Sequence, residues 1–236
     1  MIQIDNLHKR FGKNQVLSGV ELSIKSGGIY AILGPNGSGK TTLIKSILGM
    51  VIPNTGIINV LDTNIKNGWR YRKEIDYLPQ IANFPNNIRV GELIRMIKDL
   101  RQKPSDEDRL ISLFGLEPFL DKKLGTLSGG TKQKVNIVLT FMFNSPLMIL
   151  DEPTTGLDPG SLIRLKKLIQ EEKKKGKTLL ITSHIMQFVE EVADEIVYLL
   201  EGKVYFKGSI EELKQKTDQV DVEHAIAAIA MQTTDA

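Results

Sequence analysis

The sequence predicts an α/β fold: a mixed sheet core with an antiparallel β part at the N-terminus and a helical insertion in mid-chain. Three observations predict it. A short apolar run, Ile29 to Leu33, feeds a glycine-rich turn and then a helix-forming stretch. Two later runs, Leu147 to Leu150 and Thr178 to Thr182, have the composition of strands buried on both faces of a parallel sheet. Between them, residues from about 83 to 126 change texture, and helical spacing of apolar residues replaces strand-like runs.

The elements follow in order. Ile2 to Leu7 and Val16 to Ile24 alternate in part and predict strands, with Lys9 to Asn14 as a turn-rich link. Lys40 to Leu48 predicts a helix, Pro53-Asn54-Thr55-Gly56 a turn, and Gly56 to Val60 a short strand. Ile75 to Leu78 is another short strand, ending at Pro79-Gln80. Val90 to Leu100 places Val90, Leu93, Ile94 and Ile97 on one helical face. Ser105 to Phe114 opens with Ser105 and Asp108, a capping-box variant, and predicts a second helix. A helix from Ser128 to about Phe143 precedes the buried strand. Leu162 to Lys174 is amphipathic, and its charged run Glu171 to Lys175 reads as a solvated face. Glu195 to Leu200 and Lys203 to Lys207 flank Glu201-Gly202, a two-residue hairpin turn. Ser209 and Glu212 cap a further helix. The chain thus reads as one domain, 1–236, with an inserted helical subdomain at 83–126 and a C-terminal helical tail at 217–236.

Composition narrows the class. The 236 residues are 41% hydrophobic and 25% charged, as in a globular domain, and can bury a substantial core. A formal net charge of +3 gives no reason to expect a nucleic-acid partner. Cysteine is absent, which excludes disulfides and thiolate metal sites, and the three histidines lie far apart in sequence. No apolar run approaches the ~18 residues needed to cross a bilayer. Met1-Ile2-Gln3-Ile4-Asp5 has neither a basic leader nor a small-residue cleavage site, so a cytoplasmic chain is expected.

The turn after Ile29 to Leu33 carries the chemistry. Gly34-Pro35-Asn36-Gly37-Ser38-Gly39-Lys40-Thr41-Thr42 fits G-x-x-x-x-G-K-[ST], a phosphate-binding loop between strand and helix. Gly34, Gly37 and Gly39 let the backbone curl until several N–H groups point inward. The helix start favours an anion, Lys40 adds a full positive charge, and the Thr41 hydroxyl suits Mg²⁺. Leu147 to Leu150 ends in Asp151-Glu152, and ligands of open α/β sheets sit beyond the carboxyl ends of strands. One of these carboxylates can hold a metal through water, and the other can orient or deprotonate an attacking water. His184 and Gln80 also follow strand ends. Phe11 is an aromatic residue in a polar setting, which on sequence alone reads as a partly buried anchor.

Together Gly34 to Thr41, Gln80, Leu127-Ser128-Gly129-Gly130-Thr131-Lys132-Gln133, Leu147 to Pro153, Gly156-Leu157-Asp158 and His184 resemble the motifs of ATP-binding cassette (ABC) ATPases, in that family's order, over residues 1 to about 215. The resemblance implies the P-loop NTPase ABC ATPase fold and the cofactors ATP and Mg²⁺. It implies that residues 34–42 hold the β- and γ-phosphates, that Thr41 and Gln80 help hold Mg²⁺ and Asp151 does so through water, and that Glu152 is the general base. His184 would contact the γ-phosphate, and Phe11 would stack on adenine. Ser128, Gly129 and Gly130 would cover the ATP of a second copy in a head-to-tail homodimer, and Asp158 would face that copy. Thr131 to Lys134 depart mildly from the family's commonest wording, while Ser128 and the glycines are intact.

The resemblance also implies a membrane partner, since one cassette without a long coiled-coil insertion looks like the ATPase subunit of a transporter. Peripheral association with the cytoplasmic face of the cell membrane follows. The groove near Gln80 would receive a short helix of the membrane subunit, with Phe84 and Ile88 as anchors. More narrowly, Tyr77 to Ile94 and Glu195 to Leu213, with Lys203-Val204-Tyr205-Phe206-Lys207-Gly208, resemble the ATP-binding subunit of the copper-processing transporter used in nitrous oxide reductase maturation. The alternatives are a drug, lipid or polysaccharide exporter, or a soluble non-transport ABC ATPase.

Overall fold

The computed structural model describes residues 1–234. The N-terminal third forms β1 (Ile2–Phe11), β2 (Asn14–Ile24), β3 (Gly28–Leu33), α1 (Lys40–Ile47), β4 (Thr55–Val60), the two-residue β5 (Thr63–Asn64) and β6 (Ile75–Leu78). Helices α2 (Val90–Arg101) and α3 (Glu107–Phe114) follow, then α4 (Gly129–Phe141) and β7 (Leu147–Asp151). The remainder comprises α5 (Pro159–Lys174), β8 (Thr178–Thr182), α6 (Met186–Val192), β9 (Glu195–Leu200), β10 (Lys203–Ser209), α7 (Ile210–Thr217) and α8 (Val222–Thr234).

The strands form two sheets. An antiparallel sheet has the order β2-β1-β4-β5, and a six-stranded sheet the order β10-β9-β3-β8-β7-β6. Within the second, β9, β3, β8, β7 and β6 run parallel and β10 pairs antiparallel at one edge. The expected mixed core with an antiparallel N-terminal part is what forms. Strands β7 and β8 are buried at every position, and their side chains divide by parity. Leu147, Ile149 and Leu180 face a core shared with α1 and the antiparallel sheet. Met148, Leu150, Leu179 and Ile181 face a core shared with α2 to α5. A third cluster packs α7 and α8 against β9 and β10.

Between Asn83 and Thr126 lie α2, α3 and two short 3₁₀ turns, Glu117–Phe119 and Leu124–Thr126. Their apolar residues, among them Leu93, Leu110 and Phe114, join the same cluster as Met148 and Leu150. Of the tail at 217–236, α8 covers Val222–Thr234, and residues 235 and 236 lie outside the described residues.

Several boundaries differ from the sequence reading. The Lys9 to Asn14 link is a tight hairpin: β1 continues to Phe11, β2 starts at Asn14, and only Gly12 and Lys13 turn, with Gly12 at φ +57°. The polar residues there pair across strands, so apolar alternation could not reveal them. Ser105 does not cap α3. Its hydroxyl donates to Glu107 Oε2 at 2.6 Å, and Asp106 takes the N-cap position without a side-chain cap bond. Helix α5 starts at Pro159, because Asp158 accepts from the Ser161 N–H and proline suits the first turn.

The functional consequence of this topology is positional. The segments after β3, β6, β7 and β8 leave one edge of adjacent parallel strands, so their residues converge where ligands of such sheets bind.

Candidate functional site

The loop between β3 and α1 is shaped by two glycines that no other residue could replace. At Gly34, φ is +150° and a Cβ would collide with the Leu199 carbonyl oxygen. At Gly39, φ is +107° and a Cβ would stand 2.8 Å from Leu17 Cδ2 and 2.9 Å from the Val16 oxygen. Both positions press the loop against β2 and β9 while its other side stays open. Lys40 reaches back over the loop and donates to the Gly34 oxygen at 2.7 Å and the Pro35 oxygen at 3.0 Å. Burial lowers the Lys40 pKa, opposed by the negative charges of Glu152 and Asp151. The Ser38 hydroxyl is buried without a partner, and the first turn of α1 carries no acidic residue. A curled backbone, an ammonium, an orphan hydroxyl and a helix start free of acid together suit a phosphate chain.

The acidic side of the site comes from β7. Asp151 and Glu152 are both buried, at 4% and 7% exposure. Asp151 Oδ1 accepts from the Thr182 hydroxyl at 2.6 Å. Glu152 holds a left-handed backbone, φ +50°, uncommon for a residue with a side chain. Its N–H donates to Thr182 Oγ1 at 2.9 Å and to the Thr182 carbonyl at 3.2 Å. Its Oε2 lies 2.8 Å from His184 Nδ1. Burial, with the charge of Asp151 adding to it, pushes the Tyr77 hydroxyl up to about 12.

These pieces line one cleft of about 280 Å³: Asn36, Gly37, Gly39, Lys40, Thr41, Thr42, Gln80, Asp151 and Glu152, with Asn14 and Val16 from the first hairpin. Thr41, Gln80 and Asp151 present a hydroxyl, an amide and a carboxylate, all hard oxygen donors of the kind Mg²⁺ takes. Among the described residues no group of three or more His, Cys, Asp or Glu could hold a metal.

Helix α4 buttresses the cleft from behind. Gln133 Nε2 donates to the Pro153 oxygen at 3.0 Å and Asn136 Nδ2 to the Pro79 oxygen at 3.2 Å, beside Glu152 and Gln80 respectively. Sequence reading missed Asn14, Val16, Asn136 and Thr182. A polar residue at the carboxyl end of a strand whose three central residues are apolar is the signal that could have found Thr182.

Other expected site residues stand apart from the cleft. Phe11 is half exposed and does not line it. Lys9 Nζ sits 4.7 Å from the ring centroid, leaving the other ring face uncovered by that ammonium. Ser128, Gly129 and Gly130 do not line the cleft either. Ser128 caps α4 by accepting from the Thr131 N–H at 3.2 Å, and Ser128 and Gly129 are exposed. A Cβ at Gly130 would lie 2.6 Å from the Gly156 oxygen, so α4 begins in close contact with the segment that leads to Asp158. Asp158 in turn pairs with Lys134 at 2.7 Å. A second, larger groove of about 430 Å³ lies across the sheet edge, walled by Met50, Tyr77, Phe84, Ile97, Leu139 and Phe143. Phe84 lines it, whereas Ile88 packs against the core and does not.

The ABC transporter family model matches residues 17–155. The chain is 33% identical over 209 residues to the lantibiotic transport ATP-binding protein SrtF of Streptococcus pyogenes, covering 86% of this chain and 89% of that one. It is 31% identical over 226 residues to the probable amino-acid import ATP-binding protein YxeO of Bacillus subtilis (strain 168), covering 90% and 91%. A solved structure of an ATP-binding subunit of an ABC transporter superposes with a TM-score of 0.91 at 28% identity, covering 98% of this chain and 99% of that one.

Proposed function

The chain belongs to the ABC transporter family as an ATP-binding, ATP-hydrolysing subunit, and from that premise we propose how its residues divide the work. The convergence of the Lys40 loop, Asp151 and Glu152 on one cleft carries the reading. The backbone of residues 34–42 and the Lys40 ammonium bind the β- and γ-phosphates. Ser38, whose hydroxyl is buried and unpartnered, gains an acceptor when they do. Thr41, Gln80 and Asp151 would hold Mg²⁺, which supplies charge neutralisation across the phosphate oxygens. Glu152, oriented by His184 and by its fixed backbone, takes a proton from the attacking water. His184, freed from Glu152, can donate to the γ-phosphate. Phe11 offers its open face to adenine. Titration of the purified chain with ATP and Mg²⁺ tests this: one nucleotide per chain is expected, and no saturable binding would overturn it.

The site is completed by a second copy. Ser128, Gly129 and Gly130 form an exposed glycine-rich helix start outside their own cleft, suited to a phosphate they cannot share with Lys40. A head-to-tail homodimer formed with ATP places them over the partner's nucleotide, and Asp158 lies in the facing segment. Loss of the γ-phosphate then weakens the dimer, because ligand binding and association are linked.

Among the described residues no helix is long and apolar enough to cross a membrane. The similarity to ATP-binding subunits of transporters supports a path supplied by integral membrane subunits, with this chain peripheral at the cytoplasmic face of the cell membrane. Residues 83–126 act as the subdomain that meets them, and the groove walled by Phe84 receives their cytoplasmic segment. The tail at 217–236 is an appendage to the single domain. For cargo, the stretches Tyr77 to Ile94 and Glu195 to Leu213 favour copper-site maturation of nitrous oxide reductase. The similar proteins are named for other cargoes, amino acids and a lantibiotic; a drug, lipid or polysaccharide exporter is the second reading. Deleting the locus discriminates: impaired copper-site assembly supports the first, and intact enzyme excludes it.

A further inference from the structure

Thr182 closes β8, which lies between β3 and β7. It stands opposite Ile32 of β3 and opposite Asp151 of β7, and it is completely buried. Its three predecessors, Leu179, Leu180 and Ile181, are apolar, and a β-branched valine would satisfy the strand as well as threonine does. The hydroxyl is thus not explained by strand formation, and a buried hydroxyl costs stability unless it is bonded. Here both of its capacities are used. Its proton goes to Asp151 Oδ1 at 2.6 Å, a short bond to a charged acceptor, and its oxygen accepts the Glu152 N–H at 2.9 Å. One side chain thereby fixes an oxygen of Asp151, and with it the direction of the other. It also pins the peptide of Glu152 in the left-handed conformation that turns this residue out of the strand.

We propose that Thr182 is a positioning residue for ATP hydrolysis, its hydroxyl setting the placement of the metal-holding and the proton-accepting carboxylates relative to each other. The proposal rests on the roles given above to Asp151 and Glu152. Groups that orient metal ligands from behind matter nearly as much as the ligands, and their loss costs about 10–100-fold in metal affinity or activity.

The test compares Thr182→Val, Thr182→Ser and Glu152→Gln, each alongside its thermal midpoint. Thr182→Val should lower kcat about 10–100-fold and raise the Mg²⁺ concentration for half-maximal rate, with KM for ATP changed no more than about twofold. Thr182→Ser, which keeps the hydroxyl, should retain kcat within about threefold and the original Mg²⁺ profile. Thr182→Ala serves as a second deletion of the hydroxyl if the valine variant does not fold. A folded valine or alanine variant with unchanged kcat and Mg²⁺ profile overturns the proposal. So does a serine variant that loses activity in step with stability, since that would mark a packing role. Retained turnover in Glu152→Gln would instead bring down the underlying assignment of Glu152, whatever the threonine variants do.

Discussion

His184 Nδ1 and Glu152 Oε2 lie 2.8 Å apart, joining the ends of two neighbouring parallel strands. The imidazole is largely exposed and the carboxylate almost wholly buried, at 74% and 9% of their side-chain surfaces. The main chain of Glu152 is held by two bonds to Thr182, so the carboxylate stays at the strand end when the imidazole moves. The pair therefore links the residue read as general base to a group that can turn toward the incoming phosphate.

Glu152→Gln keeps the size of the side chain and removes the proton acceptor. Turnover should fall about 10²–10⁴-fold while ATP still binds, because general-base catalysis is worth that much. The variant should also accumulate as an ATP-bound dimer on size-exclusion chromatography. Near-normal turnover would refute the role of Glu152.

Lys40→Ala should weaken nucleotide binding itself, measured as a higher Kd for ATP. Two loop carbonyls also lose their donor, so the empty loop should loosen. Gly34→Ala should be worse, because the new methyl meets the Leu199 main chain rather than a flexible side chain. A Gly34→Ala protein with wild-type stability and affinity would contradict the shape argument.

Phe84→Ala removes an aromatic wall from the larger groove and leaves the cleft untouched. ATP binding should be preserved while transport in vesicles falls relative to ATP consumed. Equal transport by the variant would show that the groove is not where the membrane subunit docks.

Asp158 gives a prediction in pH. The Lys134 ammonium, and then the Ser161 N–H and hydroxyl, hold its carboxyl well below the usual carboxylate range. A depressed folded pKa means stability present above the unfolded value of 3.8 and lost as pH falls through the folded one. The contribution is small, since solvent screens this exposed group. The gap in urea midpoint between wild type and Asp158→Ala should be flat from about pH 8 to pH 5 and shrink below about pH 4. A gap that widens with acid would contradict it.

Much of this was readable before the structure. The glycine-rich loop, the buried strands and the acidic pair follow from local rules, since Gly34 to Thr41 and Leu147 to Glu152 each carry their own geometry. The β9–β10 turn was legible because Glu201-Gly202 needs two left-handed residues, and both adopt them. What stayed hidden depends on partners distant in sequence. Thr182 meets Asp151 only through strand order, and Asn136 meets Pro79 only through the packing of α4. The reach of β1 to Phe11 was masked because polar residues can pair in a hairpin without alternating. The start of α3 was misread because Ser105 bonds a side chain instead of the helix backbone.

The specific ATPase activity of the purified chain across a protein dilution series tests the account most directly. Ser128 and Gly129 lie outside the cleft that holds Lys40 and Glu152, so activity per chain should rise with concentration and plateau as antiparallel pairs form. Constant activity down to the most dilute sample, with no antiparallel pair trapped by cross-linking, would show that one copy suffices.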